Sequence, residues 1–303
     1  MKIIFMGTPM YASVILEALL QKHEVVALIA QEDKRAGRNM QLKMPYTKEL
    51  LFNKGLNEKI PIFQPSKLDE GFYEEISKIA CDVIIVAAYG KILPKKILSL
   101  APCINLHASI LPKYRGASPI QSAILEEEEY FGVTAMKMEE GLDCGEILGI
   151  SAFKNQKEGA VELFSKLSFE AAKLTLELLE FGIENISPLK QLECNKSLCK
   201  KIKKEEGRVE LRSAKEVYLK SLAYEGWPEI SLANQIKLKN IHLNEEDSSN
   251  LEGVILQIQK DKILLGCKKG SIFVEIIQAP SKKPMNAYDY LQGKRLKVGD
   301  ILS

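Results

Sequence analysis

The feature that most constrains the fold of this chain is a short, almost wholly apolar segment, Asp82–Ala88, with the sequence DVIIVAA. A run of this length, rich in β-branched residues, is typical of a strand that is buried on both faces. Similar strand patterns at Lys2–Met6, Glu24–Ala30 and Cys103–His107 alternate with helical patterns. Strands that alternate with helices predict right-handed crossovers and a parallel sheet covered by helices on both faces. We therefore expect an α/β fold for the first part of the chain.

Further patterns extend this arrangement along the first half of the chain. Ile60–Gln64 and Gly132–Met138 predict two more strands, and Gly71–Ala80 predicts a helix. The long segment Gly159–Gly182 predicts the helix that closes the domain.

A chain of 303 residues is long enough for two domains. We assign residues 1–189 to a Rossmann-like α/β domain and the polar, Lys-rich stretch 190–206 to a basic linker. Residues 207–303 begin with a helical pattern at Ala214–Ala223 and continue with short strand patterns and tight turns. This pattern predicts a small OB-like β-barrel. Its predicted strands are Ile236–Leu238, Gly253–Gln259, Lys262–Gly266 and Ser271–Gln278.

The composition excludes several classes of protein. The six cysteines are scattered without a C-x-x-C pair, and the chain has only three histidines. We therefore expect neither a disulfide framework nor a bound metal. No apolar run approaches the roughly 20 residues that a membrane span needs, and the first apolar run is too short for a signal peptide. These features predict a cytoplasmic protein with no membrane partner.

The charge is unevenly distributed along the chain. From residue 190 onward there are 21 Lys and Arg against 15 Asp and Glu, a net charge of +6, whereas the first 189 residues carry 21 against 25, a net charge of −4. A basic C-terminal part suits an anionic partner such as nucleic acid. Surface lysines also serve solubility alone, so charge by itself leaves both interpretations open.

Polar side chains lie where predicted strands end, which is the edge where doubly wound sheets bind ligands. Asn105 and His107 end one strand, and the alternation of side chains places both on the same face. The last strand of this half leads into residues 139–145, where two glycines flank Asp143 and allow the loop to bend back toward the sheet. We expect these three side chains to converge.

These residue types suit the transfer of an acyl group to an amine. A neutral His107 accepts a proton, Asp143 orients the imidazole and stabilises its charged form, and the Asn105 amide donates to the oxyanion. The amine attacks directly, so the absence of a G-x-S-x-G motif is no obstacle. Taken singly, each residue also has a structural interpretation: a hydrogen-bonded strand-end histidine, an asparagine that satisfies loop backbone and a turn aspartate.

Two longer segments carry a family resemblance. Asn105–Gln121 (NLHASILPKYRGASPIQ) and Gly132–Leu148 (GVTAMKMEEGLDCGEIL) resemble the paired signature of the folate-dependent formyltransferases. The Asn-x-His, Ser-x-Leu-Pro and Leu-Asp-x-Gly motifs match in order and spacing. The resemblance covers nearly the whole chain and is strongest in its first half. It implies 10-formyltetrahydrofolate as co-substrate and the catalytic roles given above for Asn105, His107 and Asp143.

The same resemblance implies a folate pocket with two walls. Ala87–Pro94 (AAYGKILP) is similar to one wall in the family, and Ser109–Pro112 is implied to form the other. An apolar segment with backbone groups at its edge suits a flat pterin ring. The residues implied to bind folate are Tyr89, Gly90, Ile92, Leu93, Ser109, Ile110, Leu111 and Pro112.

Three features favour tRNA as the acceptor. Met6–Pro9 resembles the members of the family that formylate the methionine on initiator tRNA, and the basic loop 31–45 is implied to reach the acceptor stem. Lys and Arg in such a loop neutralise several phosphates, although without the family context it is equally a solvated surface. Lys200–Arg208 resembles the Lys-rich start of the family's C-terminal module, and OB-like barrels commonly bind nucleic acid. The residues implied to bind initiator methionyl-tRNA are Lys34, Arg35, Arg38, Lys43, Lys200, Lys201, Lys203 and Lys204.

Two other functions stay open on sequence alone. A formyltransferase acting on a small amine, such as an amino sugar nucleotide, would share the catalytic residues, and some of those enzymes carry a similar C-terminal module. A non-catalytic RNA-binding protein on the same scaffold is the alternative of another class, and the intact set of Asn105, His107 and Asp143 argues against it. A dinucleotide-dependent oxidoreductase is disfavoured because no G-x-G-x-x-G follows the first strand. We expect a monomer.

Overall fold

The structure is a computed structural model that describes residues 1–36 and 40–302. The chain forms two compact units and passes between them more than once, so the domain limits predicted from the sequence, which assume continuous segments, stay a prediction. The first unit contains Met1–Pro119, Glu129–Asn155 and Leu163–Lys200, and the second contains Ile120–Glu128, Gln156–Glu162 and Lys201–Ser303.

The first unit alternates strands and helices along the chain. Its helices are α1 (Met10–Lys22), α2 (Tyr46–Asn53), α3 (Glu70–Ile76) and α4 (Lys95–Leu98), while α5 (Pro119–Leu125) and α6 (Ala160–Phe181) cross the unit limits. Two short 3-10 helices follow at Ile183–Asn185 and Glu193–Asn195. Its strands are β1 (Lys2–Gly7), β2 (Glu24–Ile29), β3 (Lys34–Ala36), β4 (Gln41–Lys43), β5 (Ile62–Phe63), β6 (Val83–Ala87), β7 (Cys103–His107), β8 (Arg115–Gly116), β9 (Tyr130–Lys137), β10 (Ile147–Lys154) and β11 (Leu198–Cys199).

The main sheet has the strand order β10-β9-β7-β6-β1-β2-β5. The strands from β7 to β5 are parallel, which confirms the predicted α/β fold. The expectation of a parallel sheet throughout is wrong at one edge, because β9 is antiparallel to β7 and β10 is antiparallel to β9. For β9 and β10 the reason is the length of their connection, because a parallel pair needs a crossover of a dozen or more residues and the loop 138–146 is too short to provide one.

The sheet is held by apolar side chains that pack against its helices. On one face Ile4 and Ile84 belong to a buried cluster with Phe72 and Ile76 of α3 and Ile97 of α4. Burying an apolar side chain of this size contributes about 1.5–3 kcal/mol relative to exposure. The strand ends that carry polar residues such as Asn105 and His107 therefore extend from a tightly packed apolar core.

The turn from β1 into α1 requires a glycine. A Cβ atom on Gly7 would lie 2.6 Å from the Cβ of Ala12 and 2.7 Å from the carbonyl oxygen of Ala87. Because Gly7 has no side chain, the short turn from β1 into α1 can pass close to both Ala12 of α1 and Ala87 of β6.

The second unit is a small domain built on an antiparallel sheet. The sheet has the order β12-β15-β14-β13, with β16 paired to β15, and the predicted small β domain is confirmed to this extent. The helix predicted at Ala214–Ala223 is also confirmed, and Ser213 caps it by accepting from the Glu216 amide at 3.3 Å. Its elements are α7 (Ala214–Ala223), α8 (Ala287–Lys294), β12 (Lys237–Ser249), β13 (Ile255–Ile258), β14 (Ile263–Gly266), β15 (Lys269–Gln278), β16 (Met285–Asn286) and a 3-10 helix at Lys204–Gly207.

None of the helices within residues 1–36 and 40–302 combines the length and the apolar composition that a membrane span requires.

Candidate active site

β7 presents Asn105 and His107 on one face. Between them Leu106 points the other way and is 2% exposed, and its carbonyl oxygen accepts a hydrogen bond from the Tyr11 hydroxyl at 3.2 Å. His107 is buried and Asn105 is half-buried. The hydrogen bond from Tyr11 thus restrains the backbone of β7, and its two polar side chains face the loops that follow β7 and β9.

Asp143 reaches this face from the opposite direction to the one predicted. Because β9 is antiparallel to β7, its last residue Lys137 pairs with Ile104 near the start of β7. Asp143 does follow the end of a neighbouring strand, as expected, but that end lies beside the start of β7, and the loop 138–146 bends back to bring Asp143 to Asn105 and His107. The backbone of Asp143 is left-handed, with φ of 48°, and a Cβ on Gly145 would lie only 1.8 Å from the Lys137 carbonyl oxygen.

The three predicted catalytic side chains lie together. Asn105 Nδ2 is 3.4 Å from Asp143 Oδ1, and His107 Nδ1 is 3.6 Å from Asp143 Oδ2. The backbone N–H of Gly116 donates to the same Oδ2 at 2.9 Å. These distances allow the imidazole, the carboxylate and the amide to contact one small reacting group.

The other ring nitrogen of His107, Nε2, makes a hydrogen bond within the protein. Its Nε2 lies 2.9 Å from the carbonyl oxygen of Tyr114, and a carbonyl oxygen can only accept, so Nε2 carries a proton. In the neutral imidazole the lone pair is then on Nδ1, beside Asp143. Tyr114 is itself left-handed, with φ of 60°, which is the backbone conformation in which its carbonyl reaches the ring.

Several residues that the sequence analysis did not single out also hold this arrangement in place. Ser197 Oγ accepts from the Tyr114 amide at 2.8 Å, and Cys199 Sγ lies 3.2 Å from the Tyr114 carbonyl oxygen. β11 pairs in parallel with β8, and a Cβ on Gly116 would lie 2.1 Å from the Cys199 carbonyl oxygen. These contacts come from the stretch assigned above to a linker, where no local motif pointed to them.

The first segment implied to bind folate follows β6. Tyr89 and Leu93 are buried in the apolar core, and Gln31 Nε2 donates to the Tyr89 carbonyl at 2.8 Å. The Tyr89 hydroxyl is buried and makes no hydrogen bond within the described part of the chain, and burial raises its pKa to about 12. Gly90 and Ile92 are both exposed, and the exposed fraction of Ile92 is 85%.

The second segment follows β7, and most of its polar groups are occupied internally. The Ser109 hydroxyl donates to the Lys113 carbonyl at 2.7 Å, and the Leu111 amide donates to the Thr134 hydroxyl at 3.0 Å. Ser109 and Leu111 are buried. The surface that this segment offers comes from its half-buried members, Ile110 and Pro112.

The basic loop forms an exposed hairpin of β3 and β4. Lys34 lies directly opposite Lys43, and two like charges in this position destabilise a hairpin unless an anion neutralises them. Lys43 Nζ also lies 3.1 Å from the Tyr46 hydroxyl, and Arg35 Nη1 donates to the Met40 carbonyl at 3.2 Å. Arg38 lies outside the described residues. The other residues implied to bind tRNA are exposed, Lys200 in the first unit and Lys201, Lys203 and Lys204 in the second.

A histidine, an asparagine and an aspartate gathered at the edge of an α/β sheet are suited to acyl transfer that needs no covalent nucleophile. The chain matches the model of the formyl transferase family over residues 1–173 and the model of the formyl transferase C-terminal domain over residues 201–295. It belongs to the formyl transferase family.

Individual proteins are similar to this chain over nine-tenths or more of its length. A methionyl-tRNA formyltransferase from Nitratiruptor sp. is 51% identical over 302 residues, which is 99% of each chain. An N-formyltransferase from Helicobacter canadensis, in complex with folinic acid and dTDP-3-aminofucose, superposes with a TM-score of 0.68 at 18% identity over 90% of this chain and 98% of that one. HypX from Aquifex aeolicus, in complex with tetrahydrofolic acid, gives 0.66 at 17% identity over 98% of this chain, which spans 48% of that protein. At these identities the two solved structures show the fold alone.

Proposed function

We propose that this protein transfers the formyl group of 10-formyltetrahydrofolate to the α-amino group of methionyl-initiator tRNA, giving formylmethionyl-tRNA for translation initiation in the cytoplasm. The observation that carries the proposal is the convergence of Asn105, His107 and Asp143 in a member of the formyl transferase family. Identity of 51% over the full length of a methionyl-tRNA formyltransferase supports the acceptor.

His107 acts as the general base. As the amine forms its bond to the formyl carbon, the nitrogen becomes positively charged and must lose a proton. Nδ1 is the ring nitrogen with a lone pair, because Nε2 donates to Tyr114. The imidazolium that results has Asp143 beside its new N–H, at the 3.6 Å separation already present, and the carboxylate stabilises that charge.

Asn105 stabilises the oxygen that gains charge. One N–H of its amide faces Asp143 Oδ1 at 3.4 Å, which orients the group and leaves the second N–H for the formyl oxygen. A donor fixed in this way before the reaction stabilises the oxyanion without reorganising, and removal of one such donor typically costs about 10²–10³ in rate.

The proton held by His107 completes the reaction. The folate donor supplies the formyl carbon and a nitrogen leaving group. When the bond from carbon to that nitrogen breaks, His107 Nδ1 returns the proton to the leaving nitrogen, and the carbonyl re-forms on the new amide. The products are tetrahydrofolate and the formylated amine, and His107 is neutral again.

The folate is proposed to bind beside this site, between the segments that follow β6 and β7. The apolar side chains of Ile92, Ile110 and Pro112 are at least partly exposed there, which suits contact with the face of a pterin ring. The unsatisfied hydroxyl of Tyr89 is the one buried side-chain polar group in these segments that lacks a partner within the described part of the chain.

Initiator tRNA is proposed to bind through the hairpin that carries Lys34, Arg35 and Lys43, through Arg38, and through the exposed lysines of residues 200–204. Phosphates placed against the hairpin would remove the repulsion between Lys34 and Lys43.

A sugar-amine acceptor is the competing proposal, because an N-formyltransferase with dTDP-3-aminofucose bound shares the fold. The test is to incubate the protein with 10-formyltetrahydrofolate and either methionyl-initiator tRNA or a nucleotide-linked amino sugar, and to detect the formylated product by mass spectrometry. We expect formylmethionine on the tRNA and no formylated sugar. Formylation of the sugar alone would replace the proposed acceptor.

A further inference from the structure

Gln191 connects the two loops that form the candidate active site. Its Nε2 donates to the carbonyl oxygens of Asp143, at 2.9 Å, and Gly145, at 2.7 Å. Its Oε1 accepts from Arg115 Nε at 2.9 Å. Both amide hydrogens and the amide oxygen are therefore used, and one side chain ties the loop after β7 to the loop after β9.

The loop that carries Asp143 needs support from outside. Asp143 has a left-handed backbone, a conformation that costs free energy for a residue with a side chain, although aspartate adopts it more readily than most. The neighbouring glycines, Gly141 and Gly145, add conformational freedom rather than restraint. The two hydrogen bonds from Gln191 fall on the carbonyls of residues 143 and 145, so they restrain the backbone at the position that is strained.

Backbone and carboxylate of Asp143 are held by different groups. Gly116 N–H donates to Oδ2 at 2.9 Å and sets the carboxylate, whereas Gln191 sets the main chain from which it projects. Arg115, the residue before Gly116, is 4% exposed. Its guanidinium is held by Gln191 and by Glu193, whose carboxylate is 2.8 Å from Nη2.

We infer that Gln191 is a positioning residue for the catalytic carboxylate. It contacts no reacting group, and it acts by holding Asp143 where the carboxylate meets His107 Nδ1 and Asn105. This inference rests on the function proposed above, because it concerns the rate of formyl transfer at the same site.

The test begins with Gln191→Leu, which keeps the approximate size of the side chain and removes both donors. We expect the single-turnover rate of formyl transfer to fall about 10- to 100-fold, since small misplacement of a catalytic group costs up to that much. The tRNA concentration for half-maximal rate should change by less than about two-fold, because Gln191 does not touch substrate. The control is Gln21→Leu, an exposed glutamine at the C-terminal end of α1, away from the carboxyl ends of the strands, and it should keep the wild-type rate.

A double-mutant cycle separates positioning from a merely structural role. In an Asp143→Ala background the carboxylate is gone, so Gln191→Leu should lower the remaining rate by less than about two-fold. A general loosening of the fold would cost the same factor in both backgrounds. If Gln191→Leu does not fold, Gln191→Glu takes its place, because it keeps the acceptor for Arg115 and replaces both donors with a carboxylate that cannot bond the two carbonyl oxygens.

The outcomes distinguish this inference from the proposed function. A wild-type protein that fails to formylate methionyl-tRNA overturns the proposed function. The role of Gln191 is overturned by an active wild-type protein whose Gln191 variants keep more than half of the rate, are weakened only in tRNA affinity, or are slowed by equal factors in both backgrounds.

Discussion

The Nε2 atom of His107 lies 2.9 Å from the carbonyl oxygen of Tyr114, and this contact decides which ring nitrogen takes part in chemistry. The carbonyl holds a proton on Nε2 in both charge states of the ring. Proton uptake therefore occurs at Nδ1, on the side where Asp143 and Asn105 are found. A histidine bonded through one nitrogen to its own loop is structural on that side and has a lone pair available for a base on the other, which is the role proposed for His107.

Asp143→Asn tests the carboxylate that faces this nitrogen. The change preserves the shape of the side chain but removes the charge that stabilises the imidazolium, so the rate of formyl transfer should fall about 10²- to 10⁴-fold. Rapid-quench measurement of the chemical step checks this. Asp82→Asn, an exposed aspartate that accepts from the Lys2 amide, is the matched control and should be unaffected. A decrease of less than about three-fold for Asp143→Asn would remove the carboxylate from the mechanism.

Arg35→Ala and Lys43→Ala test the basic hairpin. Each should weaken tRNA binding and reduce the slope of log affinity against log salt concentration by about 0.7–0.9 for every phosphate that the variant no longer neutralises. Fluorescence anisotropy with labelled tRNA at several salt concentrations measures both quantities. Arg38→Ala should slow turnover with tRNA in the same way. Lys59→Ala is the control. This exposed lysine precedes β5, at the amino ends of the parallel strands, whereas the hairpin follows the carboxyl end of β2. An unaltered slope in the hairpin variants would make the hairpin an ordinary solvated surface.

Alkylation should divide the cysteines by burial. Cys103 is 6% exposed and Cys267 is fully buried, and burial raises the pKa of each of these two thiols to about 12. Because the thiolate is the reactive form, iodoacetamide at pH 8 should label the exposed Cys194 and spare the other two. Peptide mass spectrometry after a short exposure measures this, with the urea-unfolded protein as the fully labelled control. Labelling of Cys103 at the rate of Cys194 would contradict the buried position.

The ion pair at the base of the hairpin should make stability depend on pH. Lys48 Nζ lies 2.9 Å from Asp33 Oδ2. Partial burial by itself disfavours the charged carboxylate, but hydrogen bonds from Gln64 and Lys48 outweigh it and hold the pKa of Asp33 below its usual range. A carboxyl whose pKa is lowered by folding adds stability above its unfolded pKa of about 3.9, and this stability is lost as the pH falls through the lower folded value.

Asp33→Asn should therefore lower the free energy of unfolding by about 1–3 kcal/mol at pH 7, and the difference from wild type should shrink below about pH 4. Urea denaturation at pH 7 and at about pH 3 makes the comparison. A difference that stays constant or grows toward the lower pH would show that the pair is not stabilised by the charge of Asp33.

The parts of the fold that can be predicted from sequence are those with a local apolar signal. The segment around Val83–Ala87 is buried on both faces and is recognisable from its composition alone. The sequence does not reveal β10, because only one of its residues is buried and the rest are half-buried or exposed, so the strand has no clear apolar face. It predicts only the start of β12, which extends to Ser249, because the second half of that strand is polar and exposed and has no apolar pattern.

The candidate site also has a part that can be predicted from sequence and a part that cannot. Asn105 and His107 are two residues apart on one strand, so their common face follows from the strand period. Asp143 is expected nearby, but its direction of approach depends on the antiparallel pairing of β9, which no local pattern reveals. Gln191 and the Tyr114 carbonyl act through contacts between distant parts of the chain, which only the folded structure brings together.

The most direct test of formyl transfer by this site is the His107→Ala variant, assayed with 10-formyltetrahydrofolate and methionyl-initiator tRNA under single-turnover conditions. Removal of the base should abolish measurable turnover, a decrease of at least about 10²-fold, while folate binding measured by calorimetry stays nearly unchanged. A His107→Ala protein that formylates methionyl-tRNA at close to the wild-type rate would contradict the assignment of proton transfer to His107.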